Sequence, residues 1–178
     1  MAGTNATTAT SATTSNALRR ALVGANPRRT LARVALIVGM AYVIFGLLLI
    51  PVRGHGPSMW PTLNDGQFVL INRLAYLGAQ PKRGDVVALR VAGGRAVYIK
   101  RIIGLPGEHV RIEQGVVIVN EARLAEPYVQ QRRPWDVGEV RLTDDEYLMI
   151  GDNRGMPQSS HDFGKARRER VLGRIVSW

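Results

Sequence analysis

Residues 96–104 read AVYIKRIIG, an apolar run rich in β-branched and aromatic side chains with one lysine inside it. Such residues favour a pleated, extended chain. The breakers AGGR (92–95) and LPGE (105–108) stop the run on both sides. The stretch therefore predicts a strand. Alternation puts Lys100 on one face with Tyr98 and Ile102, and Arg101 on the other with Val97, Ile99 and Ile103. Runs of the same kind recur around it: QFVLINRL (67–74), DVVALRV (85–91), HVRIEQGVVIVN (109–120) and EYLMIG (146–151). Helical periodicity is scarce beyond residue 66 and no internal repeat is visible. The C-terminal part reads as mainly β, a compact barrel-like or sandwich domain.

The text upstream is different. VALIVGMAYVIFGLLLI, residues 34–50, is an uncharged apolar run, with Arg33 before it and Arg53 shortly after it. Extended through Val52 it is long enough as a helix to cross a hydrocarbon core of about 30 Å, and the two arginines can snorkel from its ends. Neither a core helix nor a cleaved leader fits it as well, because the run is uniformly apolar and GLLLIPVRG offers no convincing Ala-x-Ala-like exit. Residues 1–17, MAGTNATTATSATTSNA, bury too little to offset the entropy of ordering. The expected organisation is a disordered cytoplasmic tail over 1–30, a transmembrane anchor over 31–53 and an extracytoplasmic domain over 54–178.

Charge supports that topology. The 178-residue chain carries 24 Lys+Arg against 14 Asp+Glu, a formal +10. Half of the surplus lies in Arg19, Arg20, Arg28, Arg29 and Arg33, in a stretch without acids. Arginines crowded on one side of an apolar span place that side in the cytoplasm. No nucleic-acid recognition motif accompanies the remaining charge. The basic stretch KARRERVLGR (165–174) reads as a solvated face or one lying on anionic headgroups. Trp60, Trp135 and Trp178 suit either a membrane boundary or packing. With no cysteine, thiolate metal sites, disulfides and cysteine nucleophiles are excluded.

Two residues carry candidate chemistry. GHGPSMWPTLNDGQ (54–67) sets Ser58 in a Gly-Pro bend, and Pro61 holds Trp60 extended. A serine held this way presents its hydroxyl and its own N–H together, as an acyl-transfer nucleophile requires. His55, His109 and His161 lie in no recognisable motif and read as surface or turn residues, although a triad stays open. Lysine usage is more telling, because 21 cations are arginines and only Lys82, Lys100 and Lys165 are lysines. A lysine serves as a general base only when neutral. Bringing an ordinary value of about 10.4 near 8 takes roughly 3.4 kcal/mol, within reach of desolvation. Arginine cannot deprotonate and cannot replace it. The alternative is an edge-strand lysine facing water.

GPSMWPTL, RGDVVAL, YIKRIIGLPGE and GDNR…FG, in this order behind one anchor, resemble the type I signal peptidases, the Ser/Lys leader-peptide endopeptidases. VVIVNEARLAEPYV is similar to that family's segment between its lysine and GDN motifs, and the resemblance runs to VLGRIVSW. It implies a signal-peptidase-like β-barrel or sandwich catalytic domain with Ser58 as nucleophile and Lys100 as general base. Gly56, Met59, Asp152, Asn153, Arg154 and Ser160 match supporting positions, as do Pro61, Thr62, Arg83, Gly84, Asp85 and Gly151. Gly56 stands where some relatives place a serine as oxyanion donor. Beyond GDNR the chain departs from the family: Pro157, Ser159 and His161 replace its serine, aspartate and arginine, and Ser159, Ser160 or Asp162 are candidates to take over. A local Asp152–Arg154 pair is also expected in that turn. The resemblance further implies no cofactor or metal, preprotein signal peptides as substrates, small residues one and three positions before the cut, a bilayer as the surroundings and a monomer. A dedicated Ser/Lys peptidase for a pilus or conjugation component, and an inactive tethered binding domain, are the alternatives.

Overall fold

The computed structural model describes residues 26–91, 96–161 and 164–176. Most of the expected tail (1–25), Asp162 and Trp178 lie outside the described residues. The chain divides into two compact units, Met1–Ile44 and Phe45–Trp178.

Helix α1 covers Pro27–Tyr42 and continues as π-helical turns over Val43–Leu48. It starts inside the expected tail. Pro27 occupies the first turn, where its missing N–H costs nothing, and the Asn26 carbonyl accepts from the N–H groups of Arg29 and Thr30 at 3.0 and 3.1 Å. Pro27–Leu48 spans 22 residues and contains an 18-residue window with a mean hydropathy of 2.2, and among the described residues it is the helix long and apolar enough to cross a membrane. Its uncharged part, Val34–Leu48, rises about 22 Å, and Arg33 can snorkel from its start towards the headgroups.

The expected helix through residue 53 stops early. Leu49–Arg53 forms strand β1, paired antiparallel to β2 (Phe68–Asn72) from Leu49↔Asn72 to Arg53↔Phe68. Pro51 lacks the N–H that a helix needs and is tolerated on an edge strand, and β1 is the edge of its sheet. Arg53 therefore ends no helix. Its Nε donates to the Gly66 carbonyl at 2.9 Å, and its guanidinium lies 5.7 Å from the Phe68 ring centroid.

The remaining strands are β3 (Val86–Arg90), β4 (Val97–Gly104), β5 (His109–Glu113), β6 (Val116–Val119), β7 (Ala122–Arg123), β8 (Val137–Arg141), β9 (Glu146–Ile150), β10 (Gly164–Arg167) and β11 (Val171–Val176). They build two antiparallel sheets, ordered β1-β2-β11-β3-β4-β9-β10 and β7-β6-β5-β8. The mainly β expectation holds. Two strands arise from the basic stretch expected as a solvated face: Lys165, Arg167 and Arg174 are exposed, while Ala166, Val171 and Gly173 between them are buried. A single alanine between two cations gives too little apolar signal to announce a strand.

β4 sits between β3 and β9, and the predicted division of its faces is observed. Ile102 packs with Val87, Tyr147 and Met149 on one side. On the other, Ile103 meets Val110, Ile112 and Val117 of the small sheet, and Ile99 packs against the Met59, Leu63 and Val69 cluster. Trp135 is 3% exposed and belongs to the core, so it marks no membrane boundary. Ile102 is fully buried. Ile102→Ala is expected to destabilise the β unit by about 3 kcal/mol, read as a lower denaturant midpoint.

Candidate active site

The chain leaves β1 at Arg53 and turns through Gly56, whose φ of +91° lies where L side chains are strained. The Gly56 N–H donates to Asp65 Oδ1 at 2.8 Å. Pro57–Met59 then make one 3-10 turn, closed by the Trp60 N–H on the Pro57 carbonyl at 3.1 Å, and Trp60 is extended at ψ 138° as expected. The Trp60–Pro61 peptide is cis. Met59, 4% exposed, plugs this turn into the core beside Leu63 and Val69. Ser58, next to it, is half-buried.

A second segment grips the turn from beyond β9. Asn153 donates its N–H to the Ser58 carbonyl and its side-chain amide to the Pro57 carbonyl, both at 3.0 Å. A Cβ at Gly151 would stand 2.3 Å from the Ser58 carbonyl oxygen and 2.7 Å from His161 Nε2. Only glycine fits there, because the first neighbour is backbone and cannot yield. His161 is not a surface or turn histidine. It is 4% exposed, its ring centroid lies 4.8 Å from that of Trp135, and its Nε2 accepts the Gly151 N–H at 3.0 Å.

Two buried ion pairs lie beneath this contact. Asp152, 1% exposed, takes Arg101 in a two-pronged bond, Nε–Oδ1 at 2.8 Å and Nη2–Oδ2 at 2.6 Å, and also accepts from the Thr62 hydroxyl. Burial alone would lower the Arg101 pKa, but the Asp152 hydrogen bonds and charge outweigh it and hold the group above its ordinary value. Its guanidinium also stacks 3.9 Å from the Tyr128 ring centroid. Arg154 pairs instead with Glu126, Nη2–Oε1 at 2.6 Å, and donates from Nε to the Gly151 carbonyl at 3.1 Å. Desolvation lowers the Arg154 pKa and the Glu126 charge opposes it. The expected local Asp152–Arg154 ion pair is therefore not formed, because each residue finds a better-placed partner from another part of the chain.

Lys100 is opposite Val87 in the β3–β4 register, so it is not an edge-strand lysine. It is 5% exposed, with Nζ 5.8 Å from the Tyr98 ring centroid. Ser58 and Lys100, far apart in sequence, line one cleft of about 710 Å³, with Val52, Leu63 and Ile99 in its walls. Gly56, Met59 and Ser160 also line it, whereas Asp152, Asn153 and Arg154 do not. Of the three histidines only His55 reaches the cleft; His109 is exposed on β5, its Nδ1 3.7 Å from Glu139.

The family described as signal peptidase, peptidase S26, matches residues 28–178. The chain belongs to that family. A probable signal peptidase I-2 of Synechocystis sp. is 41% identical over 123 residues, covering 66% of this chain and 56% of the relative. Signal peptidase I T of Bacillus subtilis is 30% identical over 151 residues, 79% of this chain and 78% of that one. The chain thus spans just over half the length of the first relative and more of the second. A crystal structure of a signal peptidase I from Enterococcus faecalis superposes with a TM-score of 0.46 at 24% identity, covering 55% of this chain and 97% of that one.

Within this S26 chain, sequence reasoning missed Glu126 and the part played by Arg101. The one signal for Glu126 was an acid set among Leu124, Ala125, Pro127 and Tyr128. Its side chain is fully covered and it also holds Arg132 at 2.8 Å. Glu126→Gln keeps the shape but leaves the Arg154 charge buried without its counter-charge. A loss of about 3 kcal/mol is expected, measured as a lower unfolding midpoint.

Proposed function

We propose that this chain is a membrane-anchored serine endopeptidase that removes N-terminal signal peptides from exported preproteins, with Ser58 as nucleophile and a neutral Lys100 as general base. The observation that carries this reading is the shared cleft in which Ser58 lies with Lys100, a lysine residue that is only 5% exposed. Withdrawal from water penalises the ammonium form, which is what a lysine base needs.

Lys100 Nζ takes the Ser58 proton as Oγ bonds to the scissile carbonyl carbon. Negative charge then grows on the carbonyl oxygen, and the Ser58 N–H stabilises it. Gly56 has no side chain to add, and its own N–H is committed to Asp65. Collapse of the intermediate breaks the C–N bond, with the Lys100 ammonium returning its proton to the leaving amine. Neutral Lys100 then deprotonates a water that hydrolyses the acyl-enzyme. The apolar walls suit the end of a signal peptide, and an extended substrate can pair with the exposed chain of β1 or the start of β4.

The five arginines before the apolar span support a cytoplasmic N-terminus, which puts the β unit on the outer side of the cytoplasmic membrane. The span thereby tethers the peptidase to the membrane through which its preproteins pass.

The test is cleavage of a preprotein by the full chain in detergent. Ser58→Ala and Lys100→Ala are each expected to lower kcat/KM by roughly a thousandfold or more. Lys100→Arg should be equally inactive, because a guanidinium keeps its proton. Activity retained in Lys100→Ala but lost in His55→Ala would replace the dyad with a histidine base. In a second measurement, kcat/KM against pH should fall on the acid side as the free-enzyme amine gains its proton. A profile flat through the range in which the amine titrates would exclude lysine as the base.

A further inference from the structure

A second groove, of about 270 Å³, adjoins the catalytic cleft and shares Tyr98 and Lys100 with it. Its chemistry is opposite in character. Arg90 at the end of β3, Lys165 on β10 and Arg170 ahead of β11 rim it over a floor of Leu89, Met149 and Ala166. No carboxylate lines it among the described residues. Lys165 is neutralised by Glu146 at 2.9 Å. Arg90 and Arg170 are exposed and carry no ion pair among the described residues.

A peptide cut at Ser58 passes Lys100, and the two hollows meet there. The apolar cleft suits the residues before the cut. The cationic groove is then the continuation available to the residues after it. At roughly 3.3 Å per extended residue, a few residues past the cut bring a side chain to the arginines. We propose that this groove receives the chain following the scissile bond and selects acidic side chains in it, through Arg90 and Arg170. The assignment rests on the peptidase reading above and adds a charge preference to it.

The test uses the full chain in neutral detergent and peptides differing only in Asp, Asn or Lys at each of the first five positions after the cut. Asp over Lys is expected to favour kcat/KM by roughly three- to tenfold at one or more positions, the reach of two solvent-exposed charge pairs. The ratio should shrink in about 0.5 M salt, which screens such charges. Arg90→Glu combined with Arg170→Glu should invert the ratio. Because the ratio is taken within each variant, any general loss of activity cancels. An Asp/Lys ratio near one at every position, or a preference untouched by the charge reversal, overturns the proposal. So does a flat ratio accompanied by wild-type binding to anionic vesicles that the reversed variant loses, which would assign the groove to a lipid headgroup. If no peptide is cut, or if cutting survives Ser58→Ala, the peptidase reading itself falls and takes the groove with it. Cutting that depends on Ser58 and Lys100 but ignores charge defeats the groove alone.

Discussion

Asn153 holds two consecutive carbonyls, those of Pro57 and Ser58, and this double grip sets the serine turn against the strands that carry Lys100. Everything behind the grip serves to keep residues 151–154 still. Gly151 is pressed between the Ser58 carbonyl and His161, Asp152 is tied to Arg101 on β4, and Arg154 to Glu126. The Arg101–Asp152 pair also links the residue next to Lys100 with the residue next to Asn153. One ion pair thus couples the positions of the amine and of the serine turn. Buried pairs of this kind contribute little net stability, since desolvation offsets most of the attraction. Their value here is geometric, because neither partner can move without leaving a charge uncompensated.

The departure after GDNR has a physical counterpart. Where relatives are expected to brace the site with an aspartate and an arginine, His161 accepts the Gly151 N–H and Glu126 secures Arg154. An imidazole acceptor and a carboxylate from a distant loop occupy the surroundings of the same turn. Ser160 lines the cleft from this segment.

The apolar run divides between two tasks. Its first part is helical to Leu48, and its last residues become an edge strand of the larger sheet. Hydropathy cannot mark that junction, since a helix facing lipid and a strand facing a core need the same side chains. Pro51 was the local sign that helix could not continue. Similarly β10 and β11 were hidden by their charge: the exposed positions include Lys165, Arg167 and Arg174, while the buried ones include alanine and glycine.

Alternating or continuously apolar runs between breakers sufficed to foresee β2, β3, β4, β9 and the strand text that forms β5 and β6, because a strand buried on one face alternates and one buried on both is apolar throughout. The same alternation put Lys100 beside Ile102, away from Arg101, and a shortage of lysine singled it out. These are local properties, written in neighbouring residues. What local text could not contain is which acid each arginine would choose. Asp152 passes over nearby Arg154 for Arg101, and Arg154 takes Glu126, because burial rewards the partner that completes the most hydrogen bonds, whatever its distance in sequence. The burial of the lysine was likewise decided only when β3 and β9 closed on either side of β4, and its place with Ser58 in the lining of one cleft only when the serine turn packed against β4.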